Sequence, residues 1–333
     1  MTSGGGWSAA SSLVRTDAAS RRRLVGTTAR VRAGAQVEPV TSRSRFDLAS
    51  LTKVFTALTV LTLVDDGLLD LDAPVRERLD VPATRTGASA RHLLTHTAGL
   101  RASSVAWRTA ATPAGVLDDV LGTAPETEPG QMHLYSCLGF VLLGLLVEEV
   151  TSTSLDRVVL DRVAVPLGAA GLSWGPVRVP NAAPGEVVAT EPGTPTGHVH
   201  DELAAALARP VGNAGLFGTL DDVARLAEVV RRRGAFGGRH VVSEARWHEL
   251  VTPDPVAVRA GAPYGQALGL RRGCPTMSVT GDQVGHTGFT GTSFVVDLST
   301  GGYAVLLTNR VHGGRDGTGV DDERRALAGC ISP

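Results

Sequence analysis

The sequence predicts an α+β fold in which an antiparallel sheet, built from N- and C-terminal strands and flanked by helices, carries a mostly helical inserted subdomain. Residues 24–40 and several segments of the final third are short runs with the weak or clear alternation typical of strands. The part between them is dominated by apolar residues at helical spacing. Strands, helices and strands in this order indicate one sheet whose two ends meet around a helical insert.

The composition indicates an ordered protein without a nucleic-acid partner. Of the 333 residues, 43% are hydrophobic and 20% are charged, which supplies enough apolar surface for one large domain. The formal net charge is −1 and the basic runs are short, so the electrostatic surface that nucleic acids require is missing. The three cysteines have neither the number nor the spacing of a disulfide framework or a metal site.

The N-terminal arginines do not form a convincing export signal. Residues 21–23 are three arginines, but residues 26–32 contain two more arginines and no apolar segment. We therefore interpret this part as a strand and expect a cytoplasmic protein. The longest apolar run, residues 138–147, ends at two glutamates and is too short to span a bilayer, so no membrane partner is expected.

The elements, taken in order, define one domain. Residues 1–20 are rich in Gly, Ser and Ala, and we expect a loose N-terminal tail. Residues 21–333 are expected to form a single domain, with an α/β part at about 21–70 and 215–333 and a helical part at about 71–214. The α/β part begins with one or two strands at residues 24–40, and a buried helix follows from Ser50 to about Asp66, where Gly67 stops it. Strands are predicted at residues 264–270, 282–285, 292–297 and 303–307, and a closing helix at 321–330.

The first helix carries the most informative pair of residues. Of the 32 lysine and arginine residues in the chain, only Lys53 is a lysine. Arginine keeps its proton in proteins, whereas a buried lysine can act as a base. Ser50 lies three residues earlier, so both side chains are expected on one helical face, as a nucleophile and its base require. Alone, the motif is weak, and a solvated surface lysine is the alternative; the apolar flanks favour burial.

Two further stretches could complete such a site. Tyr135 lies where a loop enters an apolar helix, which suits a proton carrier that points into a cleft; a half-buried tyrosine with an ordinary hydrogen bond is the alternative. Residues 285–292 contain three glycines around His286, and such a strand brings backbone N–H groups close to a ligand, as an oxyanion hole requires. Its alternative is a β-bulge with a solvent-facing histidine.

These residues together resemble a known superfamily. Ser50-Leu51-Thr52-Lys53, Tyr135-Ser136-Cys137 and His286-Thr287-Gly288 occur in the order of the serine β-lactamases and penicillin-binding proteins, and the chain is most similar to the class C-related branch of esterases, D-aminopeptidases and transacylases. The resemblance extends from about residue 24 to about 328 and implies a β-lactamase/transpeptidase-like fold. Supporting phrases lie at residues 93–100, 139–140, 215–217 and 285–292.

The resemblance implies a role for each motif. Ser50 would be the acylated nucleophile, Lys53 its general base, and Tyr135 the carrier of a proton to and from the leaving group. His286 stands where many relatives carry lysine and would help to hold Tyr135 or the substrate. The backbone N–H groups of Ser50 and Phe289 would form the oxyanion hole.

The substrate would lie against a second group of residues, Cys137, Thr287 and Gly288. The resemblance implies neither a metal nor an organic cofactor.

Two departures from the family pattern bear on the substrate. Relatives that process β-lactams or peptides usually carry Asn or Asp where Cys137 stands, and a thiol is a weak donor and a poor acceptor. Cys137 is therefore expected to be a small packed residue. His286 in place of lysine weakens an anchor for a substrate carboxylate, because an unperturbed histidine is mostly uncharged at neutral pH.

We therefore expect a serine hydrolase or acyltransferase that works through an acyl-Ser50 intermediate on an ester or thioester. Its partners would be a small-molecule acyl substrate and, where the reaction is a transfer, an acyl acceptor. The alternative enzymes are a D-amino-acid peptidase or amidase and a β-lactamase-type hydrolase. An inactive relative that binds a ligand is the alternative of another class.

Overall fold

The computed structural model describes residues 7–29, 37–177, 186–315 and 320–333. The strands are β1 Ala9–Arg15, β2 Ser20–Gly26, β3 Phe46–Asp47, β4 Ser173–Trp174, β5 Leu216–Gly218, β6 Ala235–Phe236, β7 Arg239–His240, β8 Gly265–Gln266, β9 Arg271–Arg272, β10 Gln283–Thr287, β11 Ser293–Asp297 and β12 Tyr303–Thr308. The helices are α1 Thr52–Asp65, α2 Ala90–Leu94, α3 Pro113–Gly122, α4 Cys137–Thr151, α5 Leu155–Val159, α6 Val165–Leu167, α7 Glu202–Leu207, α8 Leu220–Arg231, α9 Glu244–Val251, α10 Pro255–Arg259 and α11 Val320–Gly329.

The predicted α+β fold is confirmed. Seven antiparallel strands form one sheet in the order β2-β1-β12-β11-β10-β9-β8, so strands from both ends of the chain are neighbours. Side chains of the central strands alternate between its faces. Val295 and Ala304 pack on α11, whereas Phe294 and Val305 face the main core. Most of the helices, α2 to α7, lie in the middle of the chain.

The prediction of a loose tail at residues 1–20 is wrong for its second half. Residues 9–15 form β1, which pairs with β12 in a register that sets Leu13 opposite Val305. Ala9 and Ala10 are buried, because side chains this small fit beneath the layer that covers the sheet. Residues 1–6 lie outside the described residues, as do residues 30–36 of the predicted N-terminal strand region. The division into an α/β part and a helical part stays a prediction.

The predicted strand at residues 264–270 is confirmed only at Gly265–Gln266, which form β8, and is wrong for the residues that follow. Gly269 has a φ of 90°, which reverses the chain into a two-strand hairpin, and Arg271 pairs with Gln266. Because β9 then lies beside β10, the Arg271 backbone comes to lie opposite Gly285. The hairpin thus places β9 directly beside β10, the strand that carries His286.

Two long helices, α1 and α4, contribute much of the apolar interior. Every residue of α1 from Thr52 to Leu63 is buried, and α4 packs against it. In the described ranges no single helix is long and apolar enough to cross a bilayer. The segments 137–151 and 155–167 reach that length and composition only as a pair bent by 83°.

Candidate active site

The turn that carries Ser50 is fixed from several sides. Ser50 lies in a 3₁₀ turn, Ala49–Leu51, that continues into α1. Ala49 precedes it with a φ of 46°, a conformation that alanine rarely adopts. The Asp47 carboxylate accepts the Ala49 N–H at 2.8 Å, and the Thr290 hydroxyl donates to the Asp47 carbonyl at 2.8 Å. These hydrogen bonds hold the strained residue directly before the serine.

Lys53 is fully buried below Ser50. Its Nζ donates to Ser50 Oγ at 3.2 Å and to the Asn213 carbonyl at 2.9 Å, and lies 3.6 Å from Cys137 Sγ. Burial lowers the pKa of Lys53, but Cys137 and Tyr135 raise it, and the balance lies above the ordinary lysine value. The single lysine is therefore held as an ammonium that contacts the serine.

Tyr135 closes the same group from the start of α4. Ser136 caps this helix by accepting the Gly139 N–H, so Tyr135 lies in the loop immediately before it. Lys53 Nζ lies 5.0 Å from the centre of the Tyr135 ring. Among the described residues the buried Tyr135 hydroxyl has no hydrogen-bond partner. The hydroxyl can thus donate a hydrogen bond to a bound substrate or accept one from it.

A cavity of about 660 Å³ opens over these residues. Its walls come from the Ser50 turn, the start of α4, the start of α7, β9, the end of β10 and α11. The lining residues are Ala49, Ser50, Tyr135, Cys137, His200, Asp201, Glu202, Arg271, Thr287, Gly288, Phe289, Arg310, Arg315, Val320, Asp321 and Arg324. Six of the predicted site residues therefore share one cavity: Ser50, Tyr135, Cys137, Thr287, Gly288 and Phe289.

Gly288 is placed where no side chain fits. A Cβ on Gly288 would lie 2.1 Å from Thr292 Oγ1 and 2.7 Å from the Leu48 carbonyl. Thr292 in turn donates to that carbonyl at 3.0 Å. The glycine lets the end of β10 approach the Ser50 turn closely, which brings Phe289 to the mouth of the same cavity.

His286 lies behind the cavity and does not line it. It is almost fully buried, its Nδ1 lies 2.9 Å from the Thr287 carbonyl, and its ring centre is 6.3 Å from that of Tyr135. Burial lowers the pKa of His286 well below its ordinary range, and the charges of Arg271 and Lys53 act in the same direction. The ring is thus neutral at neutral pH, and its predicted role in holding Tyr135 or the substrate stays a prediction.

Cys137 lies in the site as well as in the helix. Its thiol lines the cavity beside the Lys53 ammonium. Burial raises the pKa of Cys137 above the ordinary value even though Lys53 lowers it. The thiol is therefore not only packed within the helix. It also lines the cavity, where a substrate would meet it.

Arg271 is the main site residue that sequence reasoning missed. Its guanidinium lines the cavity, donates to Thr287 Oγ1 at 3.3 Å and lies over the rings of Tyr135 and Tyr264. In the described part of the chain its Nε has no hydrogen-bond partner. No local signal in the sequence marks it, because the predicted strand ended at residue 270 and Arg271 is one of many arginines.

The described ranges contain no group of three or more His, Cys, Asp or Glu side chains arranged to hold a metal ion.

Comparison with known families decides the assignment. The family model described as beta-lactamase matches residues 9–329, which is nearly the whole chain. This chain belongs to the beta-lactamase family. The superfamily resemblance inferred from the three motifs is therefore confirmed, and so is hydrolase activity as its general class.

The names of proteins similar to this beta-lactamase family member indicate several different activities. A protein of Salmonella agona, provisionally named a D-alanyl-D-alanine carboxypeptidase, is 27% identical over 307 residues, covering 82% of this chain and 71% of its own. The penicillin-binding protein from Bacillus halodurans has a TM-score of 0.72 at 20% identity, with 96% and 95% of the two chains covered. EstCE1, a hydrolase with promiscuous acyltransferase activity, has a TM-score of 0.71 at 22% identity, covering 96% and 94%. The two structures show the shared fold.

Proposed function

We propose that this beta-lactamase family member is a serine hydrolase that forms an acyl-Ser50 intermediate from an ester or thioester. The observation that supports it most strongly is the distance of 3.2 Å between Lys53 Nζ and Ser50 Oγ next to a large cavity. A serine hydroxyl is a weak nucleophile until an adjacent group takes its proton. Lys53 is the adjacent group here.

In the proposed reaction, Ser50 Oγ attacks the carbonyl carbon of the substrate and loses its proton. The oxyanion that forms accepts hydrogen bonds from the backbone N–H groups of Ser50 and Phe289. The bond to the leaving group then breaks, and Tyr135 protonates the departing oxygen or sulfur. Water, or an acceptor alcohol or amine, attacks the acyl-serine, gives its proton back to the same relay and releases the acyl product.

The raised pKa of Lys53 shapes the path of that proton. Because Lys53 rests as an ammonium, it receives the Ser50 proton only when its own proton moves to a neighbour. Tyr135 is the neighbour that also lines the cavity, so we infer a concerted relay: Ser50 gives its proton to Lys53, Lys53 gives one of its own to Tyr135, and Tyr135 gives its hydroxyl proton to the leaving group. The individual roles of these residues, of His286 and of the oxyanion donors stay predictions.

Esters and thioesters are favoured over amides by Cys137. A neutral thiol supplies neither the strong donor nor the strong acceptor that recognition of a substrate amide requires. EstCE1, a hydrolase with promiscuous acyltransferase activity, shares the fold, and its activity fits the same chemistry. Hydrolysis and acyl transfer differ only in the molecule that attacks the acyl-serine.

A second candidate, a D-amino-acid carboxypeptidase, is favoured by Arg271. This guanidinium and the Thr287 hydroxyl form a pair of donors that suits a carboxylate. Arg271 supplies the positive charge that the neutral His286 ring lacks. The name of the Salmonella relative agrees with this candidate. The inactive ligand-binding alternative is disfavoured by the Ser50–Lys53 hydrogen bond and by the nearby Tyr135 ring.

Covalent labelling tests the proposal. The intact mass of the protein is measured after exposure to a fluorophosphonate and to a p-nitrophenyl ester. We expect one adduct on the natural chain and none on the Ser50→Ala variant. A chain that forms no adduct and releases no p-nitrophenol would contradict the acyl-enzyme reading and leave the ligand-binding alternative.

Arg271→Gln separates the substrate classes. We expect kcat/KM to fall by about 10- to 100-fold for an ester that carries a carboxylate, since a charged hydrogen bond is lost. The neutral ester of the same size is the control and should change little. Equal losses on both esters would mean that Arg271 supports the fold of the cavity and does not bind an anion.

The cytoplasmic location and the partners expected from the sequence stay predictions.

A further inference from the structure

The segment at residues 93–100 supports the family resemblance but has no part in the proposed reaction. In the structure it begins with the last two residues of α2 and continues into a turn that contacts the loop that carries Tyr135. Its His96 is only 3% exposed and has a φ of 58°, a left-handed conformation that histidine seldom adopts. Such a conformation is retained where the surrounding contacts demand it.

His96 holds the backbone on both sides of Tyr135. The Leu134 N–H donates to the His96 carbonyl at 2.9 Å, and the Ser136 N–H donates to His96 Nδ1 at 3.1 Å. The centre of the imidazole ring lies 4.4 Å from that of the Tyr135 ring, and the two rings are tilted by 44°. One residue therefore fixes the position of the loop and one face of the phenol.

The protonation of His96 suits this arrangement. Because Nδ1 accepts a backbone N–H, the ring must be the neutral tautomer with its proton on Nε2. Burial lowers the pKa of His96 well below its ordinary range, and the charges of Lys53 and Arg271 add to the effect. The acceptor is thus kept free of a proton at neutral pH.

We propose that His96 is a positioning residue that sets Tyr135 for proton transfer to the leaving group. This inference rests on the proposed acyl-Ser50 reaction. The neighbouring contacts cannot replace it, because Ser136 Oγ is engaged with Gly139 and Arg101 and the Cys137 N–H donates to Ala102. A substitution of His96 therefore removes the acceptor of the Ser136 N–H and the ring beside the phenol, while the backbone carbonyl that accepts from Leu134 remains.

The test compares two esters of one acyl group. A p-nitrophenolate departs without a proton, whereas an alkoxide must receive one, so only the alkyl ester depends strongly on Tyr135. His96→Gly removes the ring and fits a left-handed backbone without strain. We expect it to lower kcat/KM by about 100-fold or more for the alkyl ester, and by far less for the p-nitrophenyl ester.

A conservative variant and a double-mutant cycle distinguish positioning from general support. His96→Asn keeps an oxygen near the place of Nδ1 and tolerates the left-handed conformation, so it should restore most of the alkyl-ester rate. In a Tyr135→Phe background, His96→Gly should add little further loss, because both changes remove the same function. The matched control is His133→Asn, which removes a ring two residues from Tyr135 and should leave the ratio of the two rates unchanged.

Equal losses on the two esters, undiminished in the Tyr135→Phe background, would overturn the inference. If His96→Gly does not fold, His96→Gln takes its place, because its amide reaches the position of Nε2 and not that of Nδ1. A natural chain that forms no Ser50 adduct and turns over neither ester would instead contradict the proposed reaction. The two failures are therefore distinguishable.

Discussion

Lys53→Arg is expected to lower kcat/KM for an ester by about 10³-fold or more while the protein stays folded. Arginine keeps the positive charge and can still donate to Ser50 Oγ and to the Asn213 carbonyl, so the electrostatics of the buried site are largely preserved. What it cannot do is release a proton and take up that of Ser50. The loss therefore measures the relay and not the charge.

The measurement has two parts. Steady-state rates are compared with the rate at which a fluorophosphonate labels Ser50, because both need the activated hydroxyl. Circular dichroism and thermal melting establish that the variant is folded, and Ser50→Ala gives the floor of the assay. A Lys53→Arg protein with rates close to those of the natural chain would exclude Lys53 as a carrier of the Ser50 proton.

The second large effect concerns stability and pH. Burial raises the pKa of Asp47 to about 6, even though the N–H groups of His200 and Ala49 lower it. The ordinary value of 3.8 holds in the unfolded chain, so between the two values the folded state binds more protons than the unfolded state. Stability from this group is thus fully present below about pH 4 and is lost as the pH rises through about 6.

A difference of this size corresponds to about 3 kcal/mol in the free energy of unfolding. We expect the natural chain to lose that amount relative to the Asp47→Asn variant between pH 4 and pH 7. Because the comparison uses the change with pH, any fixed cost of the amide beside the Ala49 and His200 N–H groups cancels. Parallel stability curves, measured by urea unfolding at each pH, would mean that Asp47 keeps an ordinary pKa in the folded state.

The ionised form of Asp47 is nevertheless the one that the Ser50 turn uses. Its two oxygens accept the Ala49 and His200 N–H groups at 2.8 Å each, which ties the residue before the nucleophile to the cavity wall. A buried carboxylate that costs stability when charged is typical of a functional site.

The parts of the fold that the sequence predicts well are those with a strong apolar pattern. The helix that follows residue 50 is buried from Thr52 to Leu63 and the strand at 303 is buried throughout, and their bounds in the structure differ from the prediction by few residues. β1 was missed because its first four residues are Ala and Ser, which carry no apolar signal until their partner strand is known. Its burial depends on β12, nearly three hundred residues away.

The site shows the same limit. Ser50, Lys53 and Tyr135 stand out because residue type and local spacing are enough to indicate their chemistry. Arg271 and Asp47 have no such signal: one is an arginine among many, and the other is a carboxylate whose partners come from residues 49 and 200. Only the fold brings these partners together.

The pairing of β1 with β12 also determines when the site can exist during synthesis. The Ala9 N–H donates to Asn309 Oδ1 across a separation of 300 residues. Ser50, Lys53 and Tyr135 leave the ribosome long before β10 and β12, so the early chain holds an open sheet edge and an incomplete cavity. The nucleophile thus meets Thr287 and Gly288 only after more than two hundred further residues have been synthesised. A contact of such high sequence separation favours slow closure of the sheet.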